Sequence, residues 1–214
     1  MRKVVKILLK IYNFFMKKRF FLIEVALSFL LIFACFSCKT IPSAPYQECS
    51  RKIDDAGIKN EKQLVAFFAS KRGYLEKSEY EKVCRLANYY IMECKFEKIN
   101  SDVAFVQMCL ETGFLTFGNL VTQDMNNFCG LGAINSDNPG LKFETEQLGV
   151  RAHVQHLHAY GTTRELKGVC IDPRYKYVLP RGKAPTVFEL SGTWAADKEY
   201  GPKLNSLLET LSSF

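Results

Sequence analysis

The chain of 214 residues is 48% hydrophobic and 24% charged, with a formal net charge of +7. Residues 1–38 hold seven of the basic side chains (Arg2, Lys3, Lys6, Lys10, Lys17, Lys18, Arg19) against one acid, Glu24, which leaves 22 basic and 21 acidic residues downstream. That near-neutral remainder lacks the basic surface on which phosphate binding depends, so no nucleic-acid partner is expected.

Lys17, Lys18 and Arg19 precede an apolar run over 20–38, interrupted by Glu24, and the chain turns polar after Cys38. This is the pattern of a secretory signal. The uninterrupted part, 25–38, is 14 residues long, against the ~20 a bilayer-spanning helix needs, so a removable signal is a better reading than a permanent anchor helix. From Met16, an alternative translation start, MKKRFFLIEVALSFLLIFACFSC resembles a bacterial lipoprotein signal peptide. IFAC ending at Cys35 and CFSC ending at Cys38 both resemble a lipobox, and Cys38, at the apolar-to-polar border, is the favoured lipidation site. The expectation is an exported cell-envelope lipoprotein, held to the membrane by lipid on its periplasmic or surface face; simple signal cleavage and secretion is the alternative.

Residues 39–58, with Pro42, Pro45 and unpatterned polar residues, read as a flexible tether. The domain then runs over 59–214, long enough for a real core. Asn60 and Gln63 cap a helix carrying Leu64, Phe67 and Phe68 that stops near Gly73. Ser78 and Glu81 form a second capping box, followed by Val83, Leu86, Ala87, Tyr90, Ile91 and Cys94 at helical spacing. A short third helix starts at Ser101 or Asp102 and ends at Gly113. Residues 112–143 are irregular and glycine-rich, a long loop with room for a small, truncated β-hairpin near 129–143. Thr145 caps a helix to about Tyr160 with Gly161 as its stop, and Leu204, Leu207, Leu208 and Leu211 continue an apolar stripe from Tyr200 in the last helix. The predicted class is mainly α.

Six cysteines lie beyond the leader: Cys49, Cys84, Cys94, Cys109, Cys129 and Cys170. Cys84 and Cys94 share a predicted helix, ~15 Å apart along its axis, and cannot bridge. Cys129 with Cys170, or six unpaired thiols, both remain open. No CxxC or Cys/His cluster has metal spacing, and His153, His156 and His158 lack a third ligand and an HExxH pattern, so no metal or cofactor is expected.

The third helix carries the chemistry. Val103, Ala104, Phe105, Val106, Met108, Cys109 and Leu110 leave it no solvated face, and only Gln107 and Glu111 interrupt it, four residues apart on one side. Apolar neighbours and the negative helix end both disfavour the Glu111 anion and raise its pKa. Such a carboxyl suits the general acid of glycosidic bond cleavage; the alternative is a core Glu paired with a distant Lys or Arg.

The segments NSDVAFVQMCLETGFLTFGN (100–119), NNFCGLGA (126–133), FETEQLGVRAHVQHLHAYG (143–161), CIDPRYKYV (170–178), RGKAPTV (181–187) and GTWAADKEYGPKL (192–204) together resemble the glucosaminidase domain of glycoside hydrolase family 73. The resemblance implies a lysozyme-like, mainly helical (α+β) fold with a long substrate cleft, and hydrolysis of the β-1,4 bond after N-acetylglucosamine in peptidoglycan. It puts the catalytic acid on Glu111, through the pattern Gln-x-x-x-Glu-(Ser/Thr)-Gly that also singles out Gln107. Asn126, Asn127 and Phe128 correspond to the floor of the cleft, Tyr200 to a sugar-positioning tyrosine, and Trp194 to another aromatic; both rings are candidate sugar platforms.

One departure matters. Members of the family carry a second carboxylate on a hairpin after the NNF segment, but residues 132–142 hold only Asp137. Asp124, Asp137, Glu144 and Glu146 are the acids near this loop, and Gln147 stands where relatives often have Glu. One of these acids could serve a retaining enzyme as a nucleophile ~5 Å from the acid or an inverting one as a base ~6.5–9.5 Å away, and a third route, equally open, uses the substrate's own 2-acetamido oxygen as nucleophile. A muramidase or lytic transglycosylase on the same fold, and a non-catalytic glycan-binding envelope lipoprotein, are the competing functions.

Overall fold

The computed structural model describes residues Tyr46–Phe214; the leader, with Cys35 and Cys38, lies outside the described residues. Among the described residues five α-helices make the body: α1 (Glu61–Arg72), α2 (Lys77–Glu97), α3 (Ser101–Glu111), α4 (Glu146–Gly161) and α5 (Tyr200–Ser212). Strand pairing among the described residues is limited to isolated bridges, Lys52 with Thr186, Asn135 with Asn138 and Ser191 with Ala195. The expected hairpin is therefore reduced to a turn, in which the Asn135 side chain accepts from the N–H groups of Asp137 and Asn138 at 3.1 and 2.9 Å.

α3 is the central helix. It packs against α1, α2, α4 and α5, and every residue from Ser101 to Cys109 is buried. Each large apolar side chain so enclosed stabilises the fold by ~1.5–3 kcal/mol relative to exposure, so the sequence Val-Ala-Phe-Val with Met108 and Cys109 belongs in the centre of the domain. Its N-cap is Asn100, whose side chain accepts from the N–H groups of Asp102 and Val103 at 3.0 and 3.3 Å, rather than Ser101 or Asp102. Asp102 is occupied elsewhere. Its buried carboxylate accepts from the N–H groups of Ile58 and Lys59 at 2.9 and 3.2 Å.

That bond corrects the tether. Residues 46–58 pack onto the domain: Cys49 and Ile53 are fully buried, and Ile53 donates to the Pro185 carbonyl at 2.9 Å and accepts from Asn100 N–H at 2.8 Å. Ile53 also explains Gly161. A Cβ there would lie 2.1 Å from Ile53 Cγ2, so the glycine admits a neighbouring side chain, and the helix ends one residue later on extended Thr162. The Asn60–Gln63 capping box and the Thr145 cap form as expected. α2 starts two residues earlier than its predicted box, with the Glu79 carboxylate accepting from Glu76 N–H at 3.1 Å. The six described cysteines are all free thiols, Cys129 and Cys170 included.

Candidate active site

Glu111 is the last residue of α3. Its Oε1 accepts from the indole N–H of Trp194 at 2.9 Å and from the hydroxyl of Tyr200. No Lys or Arg pairs with it among the described residues, so it is not a salt-bridged core residue. Burial raises its pKa above the ordinary carboxylate value, and the two donors act in the opposite direction. The Tyr200 hydroxyl is pushed well above the usual phenol value, by burial first and then by the charge of Glu111.

Behind the carboxyl runs a buried polar chain. Gln107 Nε2 donates to the Tyr200 oxygen at 2.9 Å. Gln107 Oε1 lies 3.0 Å from His153 Nε2, and His153 Nδ1 lies 2.7 Å from the Tyr90 hydroxyl. Four helices thus converge on one carboxylate: Tyr90 from α2, Gln107 and Glu111 from α3, His153 from α4 and Tyr200 from α5. Burial, with His156 adding to it, pushes the His153 pKa down to about 3, which keeps the ring neutral.

In front of Glu111 is a cavity of about 520 Å³, bounded by Leu110, Phe117, residues 119–121, Asn127, Cys129, Gly130, Ala133, Trp194, Ala195 and Tyr200. Trp194 is fixed in its wall by Tyr160 and His156, each with its ring centroid 5.1 Å from the indole. His156 is in turn held by Asp172, Nδ1 to Oδ2 at 2.7 Å. The loop wall is seated on α4 at Gly149, where a Cβ would come within 1.8 Å of the Asn126 carbonyl oxygen.

The residues singled out in the sequence separate on this map. Glu111, Trp194, Tyr200 and Asn127 line the cavity. Asn127 also builds its wall, donating to the carbonyls of Leu131 and Leu141, both at 2.9 Å, and accepting from Leu131 N–H. Gln107 is fully buried behind Tyr200 and is not a substrate contact. Asn126 is left-handed, with its side chain on the Phe143 carbonyl at 3.0 Å. Phe128 is a correction: it is fully buried in the hydrophobic core, because apolar partners behind the loop capture its ring, and it forms no cleft floor.

None of the four acids near the loop lines the cavity. Asp124 is ion-paired with Lys142 at 2.7 Å, which takes its pKa down to about 2. Glu146 is held by Arg85 at 3.0 Å. Glu144 and Asp137 are exposed, and Gln147 donates to Glu93 at 2.8 Å. Glu111 is the one carboxylate on the cavity among the described residues. No group of three or more His, Cys, Asp or Glu side chains is placed to hold a metal among them either. The residues the sequence did not disclose are Tyr90, which reads as part of an apolar stripe, His153 as a link to Gln107, and Cys129 and Phe117 in the wall. The spacing of Gln107 and Glu111 was the signal for the chain, but its continuation needs contacts between helices.

A family model described as glucosaminidase, mannosyl-glycoprotein endo-beta-N-acetylglucosaminidase, matches residues 87–213. A protein of Borreliella burgdorferi (strain ATCC 35210 / DSM 4680 / CIP 102532 / B31), described as uncharacterized, is 41% identical over 129 residues, 60% of this chain and 63% of that protein, so the likeness spans less than two thirds of the relative's length. The crystal structure of the catalytic domain of the autolysin Auto from Listeria monocytogenes superposes with a TM-score of 0.44 at 14% identity, over 73% of this chain and 97% of that one. The family match takes in more than half of the chain, from within α2 to the end of α5, and with it Glu111, Trp194 and Tyr200: the protein belongs to the glucosaminidase family.

Proposed function

We propose that the protein hydrolyses the glycan strands of peptidoglycan at the β-1,4 bond after N-acetylglucosamine, with Glu111 as general acid. The observation that carries this reading is the asymmetry of the carboxyl group. Both protein donors sit on Oε1, and Oε2 has no partner among the described residues. A carboxylic proton on Oε2 faces the cavity, ready for the glycosidic oxygen of a bound strand, while burial keeps it in place toward neutral pH.

As C1–O cleavage proceeds, the proton moves from Oε2 to the leaving oxygen, and the Glu111 anion that results is stabilised by Tyr200 and Trp194. Since Glu111 is the one carboxylate on the cavity among the described residues, the nucleophile in this proposal is the carbonyl oxygen of the substrate's 2-acetamido group. Its attack on C1 closes an oxazolinium ring as the leaving alcohol departs. Water then opens that ring and returns a proton to Glu111. Trp194 and Tyr200 present rings to the sugar faces. A lysozyme-like body with an extended cleft, and attachment to the cell envelope through lipid on Cys38 or Cys35, belong to the same proposal.

The test is digestion of purified peptidoglycan with reducing-end analysis, the wild type beside Glu111→Gln. New N-acetylglucosamine reducing ends from the wild type alone are expected. N-acetylmuramic acid ends would mean a muramidase, an anhydro product a lytic transglycosylase, and equal inactivity with retained wall binding a glycan-binding protein.

A further inference from the structure

We infer that Tyr90 and His153 are positioning residues that set the direction of the hydrogen-bond chain behind Glu111, and so hold the acid proton on the oxygen facing the substrate. The inference rests on Glu111 being the acid, but neither residue touches Glu111 or lines the cavity.

The direction follows from counting donors and acceptors. The Tyr90 hydroxyl is fully buried, and its one partner among the described residues is His153 Nδ1 at 2.7 Å. Were Nδ1 the protonated nitrogen, the hydroxyl hydrogen of Tyr90 would be left without an acceptor, at the cost of a buried unsatisfied donor. Tyr90 therefore donates to Nδ1. The neutral ring carries its proton on Nε2 and donates to Gln107 Oε1 at 3.0 Å. That turns the Gln107 amide so that its NH₂ faces Tyr200. The Tyr200 oxygen is then an acceptor on one side, and its own hydrogen goes to Glu111 Oε1.

With Oε1 receiving both Tyr200 and Trp194, a carboxylic proton has no place there and sits on Oε2. Reversal of the chain would let Glu111 donate from Oε1 to Tyr200, with the proton turned away from the cavity. Removing the Tyr90 oxygen allows that reversal: His153 takes up the other tautomer, Gln107 flips, and Tyr200 donates to Gln107 Oε1. The titratable groups facing this region are Tyr200 on α5, Cys129 on the loop, Tyr90 and Cys94 on α2, Cys109 on α3, and His153 and His156 on α4; no lysine or arginine lines the cavity among the described residues.

Tyr90→Phe, which deletes one oxygen and keeps the ring, is the test, read as the pH profiles of kcat and kcat/KM on peptidoglycan. The reversed chain stabilises protonated Glu111, so the falling alkaline limb should move up by about 0.5–1 pH unit, and kcat at neutral pH should drop by about 2–10-fold. In a Tyr200→Phe background, where the chain is already cut from Glu111, the same substitution should have no further effect on the limb. His153→Phe should reproduce the Tyr90→Phe limb shift wherever its thermal midpoint shows it folded. An unshifted limb in folded Tyr90→Phe, or an equal shift in both backgrounds, overturns the inference while leaving Glu111 as the acid; activity surviving in Glu111→Gln overturns the reading it rests on.

Discussion

The hydroxyl of Tyr200 donates to Glu111 Oε1 across 89 residues of sequence while accepting from Gln107, one turn earlier on the helix of Glu111. This relationship sets two opposing influences on the acid. Burial favours its neutral form, and the Tyr200 donor favours the anion it becomes when the proton is given away.

Tyr200→Phe tests that balance. Without the hydroxyl the Glu111 anion loses a donor, so its pKa rises further, the acid stays protonated to higher pH, and the falling alkaline limb of activity moves upward. At the same time the anion formed during bond cleavage is less stabilised, and kcat should fall by about 10–100-fold, the range for a hydrogen bond to a charged group. Steady-state kinetics across pH checks both, and a limb moving downward would contradict the assignment of Tyr200 as donor.

The acetamido route makes a paired prediction. Replacing Asp124, Asp137, Glu144 or Glu146 by Ala should leave activity within about threefold of wild type, since none lines the cavity. Substrates whose N-acetyl group carries successive fluorines should react progressively more slowly, by about tenfold or more over the series, because the attacking oxygen becomes a poorer nucleophile. A single-site loss of more than about 100-fold would name a protein base or nucleophile instead.

Phe128→Ala separates core from cleft. A buried phenylalanine truncated to alanine costs ~3–5 kcal/mol of stability, so denaturant unfolding should register a large loss. In the folded fraction, KM should stay near the wild-type value, whereas a cleft-floor role would raise KM with little change in stability.

Lipid attachment is checked by growing cells with a labelled fatty acid. Label should follow the mature protein into the membrane fraction, and Cys38→Ala should remove it; label retained in Cys38→Ala and lost in Cys35→Ala would move the site to Cys35.

Much of the helical body was legible because its signals are local. Asn60 with Gln63, and Thr145, are caps whose partners lie within three residues, and the apolar run of α3 declares its own burial. Where local signals competed, they misled. Asn100 took the cap assigned to Ser101 or Asp102, since side chains one or two positions apart offer the backbone similar acceptors, and α2 opens at Glu76, whose N–H is held by the Glu79 carboxylate, rather than at Ser78. Residues 46–58 looked like a tether because their partners, Pro185, Asn100 and Asp102, are remote in the chain.

The sequence alone determined that an isolated carboxyl ends a buried helix, and that Gln107 shares its face, because both facts follow from helical period and side-chain polarity. Only the tertiary structure decided which groups that carboxyl meets. Trp194 and Tyr200 reach it from 83 and 89 residues away, and Tyr90, an ordinary member of an apolar stripe by spacing, begins the chain behind it. A periodic pattern encodes which side chains are enclosed. Which buried donors meet which acceptors, and hence which oxygen of Glu111 keeps the proton, depends on how separate helices pack.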